Sequence, residues 1–236
     1  MMMVMPMTRL RATALAFFLA TGLVAAQSPA PGKSAPAHDF ARWEKDVAGF
    51  EAADRTNPPP KNALLFVGSS TIVRWNTLPQ DFPHVPIINR GFGGNQIVDS
   101  THFADRMIVP YRPRMIFLRA GGNDIHAGKS AEQVFADFQG FVRTVRAKLP
   151  KTEIVFIGLS PSIARWHERD ATIKLNSLVA DYVKRTPGLK YIDAYDISLD
   201  ATGQPRPELF VEDQLHFSPA GYKLLVERVR PYIPTR

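Results

Sequence analysis

The sequence predicts an α/β fold: a parallel sheet covered by helices on both faces, an α/β/α sandwich. Three observations lead there. Short apolar runs of strand length recur along the chain, amphipathic stretches of helical length separate them, and the runs are largely apolar rather than alternating. Strands buried on both faces read this way, and alternation with helices favours parallel order. Right-handed crossovers then bring every strand's carboxyl end to one edge of the sheet, the edge where ligands bind.

The elements follow in order. From about His38 to Ala53, the residues Phe40, Trp43, Val47 and Phe50 recur at helical spacing. Asn57-Pro58-Pro59-Pro60 ends that helix. The strand candidates are Ala63–Gly68, Val85–Asn89, Met115–Ala120, Ile154–Leu159 and Tyr191–Ala194. The clearest helix between them is Ala131–Leu149, where Val134, Phe138, Phe141, Val142, Val145 and Leu149 form one stripe. A second runs near Asp170–Arg185, with Ile173, Leu178, Tyr182 and Val183 among its apolar positions. The last starts at Ser218-Pro219, a capping hydroxyl followed by a proline in the first turn, and continues to Val229. No internal repeat or second domain is visible.

Ahead of this pattern stands a leader. Thr8-Arg9-Leu10-Arg11 is positive, Ala12 to Ala26 is small and apolar, and Val24-Ala25-Ala26 places small residues where a signal peptidase reads. A membrane span needs about 20 apolar residues, so the stretch is read as a signal peptide (1–26), cleaved after Ala26, and not as an anchor. Residues 27–37 read as a flexible linker and 38–236 as the domain. The expected location is periplasmic or secreted. The chain has no cysteine, which excludes disulfides, thiolate metal sites and cysteine nucleophiles. The formal charge of +7 is spread along the chain, two of its arginines lie in the leader, and no nucleic-acid module is visible.

Four segments fall at the carboxyl edge. Gly68-Ser69-Ser70 follows the first strand, Asn89-Arg90-Gly91-Phe92-Gly93-Gly94-Asn95 the second, Ala120-Gly121-Gly122-Asn123-Asp124 the third, and Asp213-Gln214-Leu215-His216 precedes the last helix. A serine hydroxyl becomes a nucleophile when a base takes its proton, and a histidine suits that work near neutral pH. An aspartate can hold the imidazole in the right tautomer. Oxyanion donors could come from the backbone N–H groups of Ser70 and Gly94 and from the Asn123 amide.

These blocks, in this order from Leu64 to Tyr222, resemble the SGNH (GDSL-type) hydrolase superfamily, in its bacterial exported esterase/acylhydrolase branch. The resemblance implies a flavodoxin-like five-stranded parallel sheet and metal-free ester hydrolysis with no cofactor. Carried over by position, it implies Ser70 as nucleophile, Gly94 and Asn123 in the oxyanion hole with Ser70, and Asp213 and His216 completing the triad. One position departs from the family: its Gly-Asp-Ser is Gly68-Ser69-Ser70 here, which removes a non-triad aspartate and leaves Ser69 as a neighbouring hydroxyl.

Taken singly, each motif has a plainer meaning: a turn, a flexible glycine loop, a positive-φ turn. Asp-x-x-His occurs three times, and context separates the copies. Asp81–His84 precedes strand two, at the opposite edge, and reads as a surface turn. Asp99–His102 reads as a surface pair on a helix. A metal site built from the histidines with Asp124 or Asp99 lacks a ligand spacing to support it. His126, Arg165 and Trp166 are candidates for substrate contact, the last two because a guanidinium beside an indole can hold a carboxylate or stack on a sugar. Arg90 reads either as structural or as an anion ligand. Trp75 is expected to pack behind the serine turn.

The expected function is hydrolysis of short-chain acyl esters, acetyl above all, on a carbohydrate or similar small molecule. Its partner is thus a small ester, with neither nucleic acid nor membrane anchoring. A lysophospholipase or thioesterase for longer chains, a non-catalytic acyl-glycan binder and a nucleotide-binding flavodoxin-like protein are the alternatives.

Overall fold

The computed structural model describes residues 38–234, together with Met1. The chain divides into two units, Met1–His38 and Asp39–Arg236, and the elements below belong to the second. The expected leader and linker lie outside the described residues.

Five parallel strands form the sheet: β1 (Leu64–Gly68), β2 (Ile87–Gly91), β3 (Met115–Arg119), β4 (Glu153–Ile157) and β5 (Leu189–Ile192), in the order β2-β1-β3-β4-β5. This is the flavodoxin-like order, whose switch point lies between β1 and β3. Successive residues of a strand point to opposite faces, and the core divides accordingly. Leu65, Val67, Ile116, Leu118, Ile154 and Phe156 join one apolar cluster, while Leu64, Phe66, Met115, Phe117, Val155 and Ile157 join the other. Burial on both faces is why the central strands β1, β3 and β4 read as nearly continuous apolar runs, while the edge strands β2 and β5 are only partly buried.

The first face is covered by α1 (Glu44–Thr56) and by later helices whose apolar stripes fit it. Short α2 (Ser70–Val73) and α3 (Leu78–Asp81) lie on the opposite face. After β2 come α4 (Ile97–His102) and α5 (Ala104–Met107), and after β3 come α6 (Gly122–His126) and α7 (Ala131–Lys148). Helix α7 begins with a capping box, Ser130 Oγ accepting from Gln133 N and the Gln133 side chain accepting from Ser130 N. Helix α8 (Arg169–Lys184) completes the first face, and α9 (Pro219–Val229) the second. The Ser218 cap and Pro219 at the first turn stand as the sequence predicts.

Boundaries shift by a few residues. The first helix starts at Glu44, after a single 3-10 turn over Ala41–Trp43, and continues to Thr56. Strand β2 reaches Gly91 because its register pairs Gly91 with Gly68 of β1. Strands β3 and β4 stop before Ala120 and Leu159, which turn out of the ladder to line a cavity instead. No helix among the described residues is long and apolar enough to cross a membrane.

Candidate active site

Strand β1 ends in Gly68 at φ +148°, a conformation that side chains rarely adopt. A Cβ there would stand 2.1 Å from the carbonyl oxygen of Arg119, so β1 can meet β3 at the edge only with glycine. The chain then leaves the ladder with the Ser69 N–H donating to Arg119 O at 3.2 Å, and Ser70 opens α2. Two side chains brace that helix. Asn89 Nδ2 donates to Ile72 O at 2.7 Å, and Tyr222 Oη donates to Thr71 O at 2.8 Å. Trp75 packs behind the turn against Phe66, Phe82 and Tyr222, as expected, and its Nε1–H donates to Asp81 Oδ2 at 2.7 Å.

The fourth segment reaches Ser70 across the sheet edge. Gln214, at φ +56°, tightens the turn between Asp213 and His216. Asp213 Oδ1 accepts from the backbone N–H of Leu215 at 3.0 Å and of His216 at 2.9 Å. Its Oδ2 lies 2.6 Å from His216 Nδ1, and His216 Nε2 lies 2.9 Å from Ser70 Oγ. Burial works to raise the Asp213 pKa, but the His216 backbone N–H and imidazole, with the Leu215 N–H, outweigh it and hold the carboxyl well below the usual range. Arg74 adds little at 3.8 Å, since both side chains are solvent-exposed.

The remaining donors converge from two loops. Gly94 sits at φ +78° beside the Trp43 ring, and neither its N–H nor that of Ser70 has an acceptor among the described residues. Asn123 is held from both ends: Nδ2 donates to Asn95 O at 2.9 Å, and Oδ1 accepts from Arg165 Nη1 at 3.1 Å. Arg165 Nη1 also donates to Gly122 O at 3.2 Å. Partners of opposite character fix which way the amide faces and leave its second N–H free.

Asp124, next to Asn123, is fully buried and turned away from the cavity. It accepts from Ile97 N at 3.2 Å and from Lys129 Nζ at 3.0 Å, while burial raises its pKa. It therefore ties the Asn123 loop to α4.

These groups surround a cavity of about 570 Å³. Ser70, Gly94, Asn123, His216 and Arg165 line it, whereas Trp166 and His126 do not. Trp166 lies under the Arg169 guanidinium at 5.0 Å. His126 points its Nδ1 at Glu168, 2.6 Å away, and it is Glu168 that lines the wall. Arg90 proves structural: it pairs with Asp54 and Tyr111 and lies against the Phe50 ring. Asp99 departs from the expected surface pair. It is buried and accepts from Gln96 N at 2.7 Å, forming the capping box of α4, while His102 stacks on Phe40. Among the described residues no group of three His, Asp or Glu side chains is arranged to hold a metal. Sequence reasoning passed over Arg119, Ser160 and Glu168, all on the cavity wall. One of them had a visible signal, since Arg119 is a lone charge closing the apolar run Met115-Ile116-Phe117-Leu118 at the ligand edge.

Residues 66–224 match the sequence profile described as the GDSL-like Lipase/Acylhydrolase family. No curated protein matches significantly. Among solved structures, a proposed platelet activating factor from Streptococcus pneumonia is 22% identical, with a TM-score of 0.72 over 82% of this chain and 93% of that one. A GDSL-like lipase from Bacteroides thetaiotaomicron is 17% identical, with a TM-score of 0.66 over 82% and 98%. A catalytic mutant of an acetylxylan esterase from Geobacillus stearothermophilus is 15% identical, with a TM-score of 0.59 over 75% and 99%. At these identities the likeness is one of fold.

Proposed function

The chain belongs to the GDSL-like lipase/acylhydrolase family, serine hydrolases acting on esters, and we propose that it cleaves short-chain acyl esters, acetyl above all, from carbohydrate. The observation that carries this reading is the continuous line from Asp213 Oδ2 through His216 to Ser70 Oγ, with steps of 2.6 and 2.9 Å, at the wall of the cavity.

In the proposed mechanism, His216 Nε2 takes the Ser70 proton as Oγ attacks the ester carbonyl carbon. The negative charge moves to the carbonyl oxygen, where the N–H groups of Ser70 and Gly94 and the free amide hydrogen of Asn123 receive it. Collapse of the tetrahedral intermediate breaks the bond to the alcohol oxygen, which leaves with the proton from His216. Water, deprotonated by the same imidazole, then attacks the acyl-serine, releasing the acid and restoring Ser70 Oγ–H. Asp213 stabilises the imidazolium in both halves.

Ser70 rather than Ser69 is assigned as nucleophile because its hydroxyl is the one that His216 reaches. Support for a sugar-linked substrate comes from the polar wall, where Ser160, Ser162, Arg165 and Thr172 stand beside Leu159 and Phe210, and from the acetylxylan esterase of the same fold. The leader pattern of residues 8–26 supports export.

The test is release of nitrophenol from the acetate and octanoate esters, by the wild-type protein and by Ser70→Ala. Hydrolysis of the acetate, weak on octanoate and absent in the variant, is expected. Activity that survives in Ser70→Ala refutes the nucleophile. Comparable rates on octanoate refute the short-acyl reading in favour of a long-chain acylhydrolase, and silence from both proteins points to a binding module.

A further inference from the structure

Arg119 closes β3 immediately before the Asn123 loop and is only 4% exposed. A guanidinium cannot shed its charge at working pH. Burial presses its pKa down to about 10, still far above neutrality. The fold has therefore set a permanent cation beneath the sheet edge.

A buried cation is normally matched by a carboxylate. Among the described residues Arg119 has none: its side-chain hydrogen bonds go to neutral oxygens, the Gly158 carbonyl and the Ser160 hydroxyl, the latter at 2.9 Å. Its Nε–H is buried with no partner among the described residues. The Phe217 ring lies 5.8 Å from the guanidinium carbon. Two nearby phenols offer no negative charge either, because burial raises both Tyr191 and Tyr222, the latter to about 12.

What borders Arg119 instead is the cavity, whose wall it forms together with Ser160. Arg74 and Arg165 add two more cations there against one carboxylate, Glu168, which His126 already engages at 2.6 Å. The strand register sets Arg119 opposite Gly68, two residues before Ser70. The Arg119 backbone thus lies about one strand spacing, roughly 5 Å, from that of the serine turn, and its side chain reaches to the other side of β3, to Gly158 and Ser160 after β4, on the wall of the same cavity.

We propose that Arg119 and Ser160 form an anion subsite of this cavity, which holds a carboxylate borne by the ester substrate. This rests on the esterase reading above and sharpens it from neutral acylated sugars to acidic esters. A guanidinium beside a hydroxyl presents a planar array of donors to a planar carboxylate, and Phe217 shields the pair from water. The carboxylate can belong to the acyl half, as in a hemiester of a dicarboxylic acid, or to the alcohol half, as in an acetylated uronic acid.

Two matched pairs separate these sources. Nitrophenyl butyrate against nitrophenyl hemisuccinate varies the charge on the acyl half; an acetylated methyl glucoside against the corresponding acetylated methyl glucuronoside varies it on the alcohol half. In one pair the anion is expected to show kcat/KM about tenfold or more above its neutral partner, about one factor of ten in binding. Arg119→Met should abolish that preference, chiefly through KM, and Arg119→Lys should retain part of it. A merely structural arginine would depress both members of a pair equally. The proposal is overturned if neither anion is preferred by the wild type, or if the preference survives in Arg119→Met. Should Arg119→Met not fold, the wild-type pairs decide. Nitrophenyl acetate, run in parallel with Ser70→Ala, shows whether the esterase reading itself has failed. In that case protection of the wild type against thermal unfolding by succinate, compared with succinamide, tests the subsite alone: selective protection supports it and equal or no protection overturns it.

Discussion

Replacing Asp213 with asparagine tests the proposed triad with little disturbance of the fold. Asp213 Oδ1 accepts two backbone N–H groups, from Leu215 and His216, while Oδ2 faces His216 Nδ1 at 2.6 Å. An asparagine can keep its oxygen only where both N–H donors converge, so its NH₂ group must face the imidazole. Two donors cannot share that contact. His216 must then present a lone pair at Nδ1 and carry its proton on Nε2, toward Ser70 Oγ, where a base is needed. In a Ser-His-Asp triad with a buried aspartate this change costs about 10⁴ in kcat. The Asp213 side chain is 41% exposed, so water takes over part of its electrostatic role. We therefore expect Asp213→Asn to lower kcat on nitrophenyl acetate by about 10³, about 4 kcal/mol of barrier, with KM changed less than about threefold. The neutral variant keeps both backbone bonds and should unfold only slightly earlier at pH 7. Because the folded carboxyl titrates below its unfolded value of about 4, its contribution is present above that pH and fades as pH falls through the folded value. The gap in unfolding temperature between wild type and variant should accordingly narrow below about pH 4. A kcat within tenfold of wild type, or a loss expressed in KM, would refute the tautomer argument.

Two further perturbations follow from the geometry. Arg165→Met removes the donor that faces Asn123 Oδ1 while keeping the aliphatic stem. Losing an oxyanion donor outright costs about 10²–10³ in kcat, so a loosened one should cost about tenfold, partly restored in Arg165→Lys; an unchanged kcat would mean that Asn123 is oriented without it. Gly68→Ala places a methyl 2.1 Å from Arg119 O at φ +148° and should destabilise the protein by about 3–5 kcal/mol. Urea titration measures this, and a wild-type midpoint would disprove the close approach.

What the sequence determined by itself was whatever is carried locally. Unbroken apolar runs declared a sheet buried on both faces, because a strand with helices above and below has no polar side. Gly68 announced a tight strand end and Ser218-Pro219 a helix start, since cap and turn chemistry is settled within a few residues. The family resemblance supplied the roles proposed for Ser70, Gly94, Asn123, Asp213 and His216. The tertiary structure decided what depends on neighbours distant in the chain. Arg165 lies 42 residues from the Asn123 amide it holds, and no spacing rule links them. Trp166, equally prominent in the same loop, is turned to Arg169 and not to the cavity. The Asp99 motif is a buried helix cap, while the Asp213 motif, identical in spacing, meets a serine 146 residues before its histidine. Only the fold could show that Arg119 is a cation with no counter-charge among the described residues, because that is a property of everything around it, and those surroundings come from three other segments of the chain.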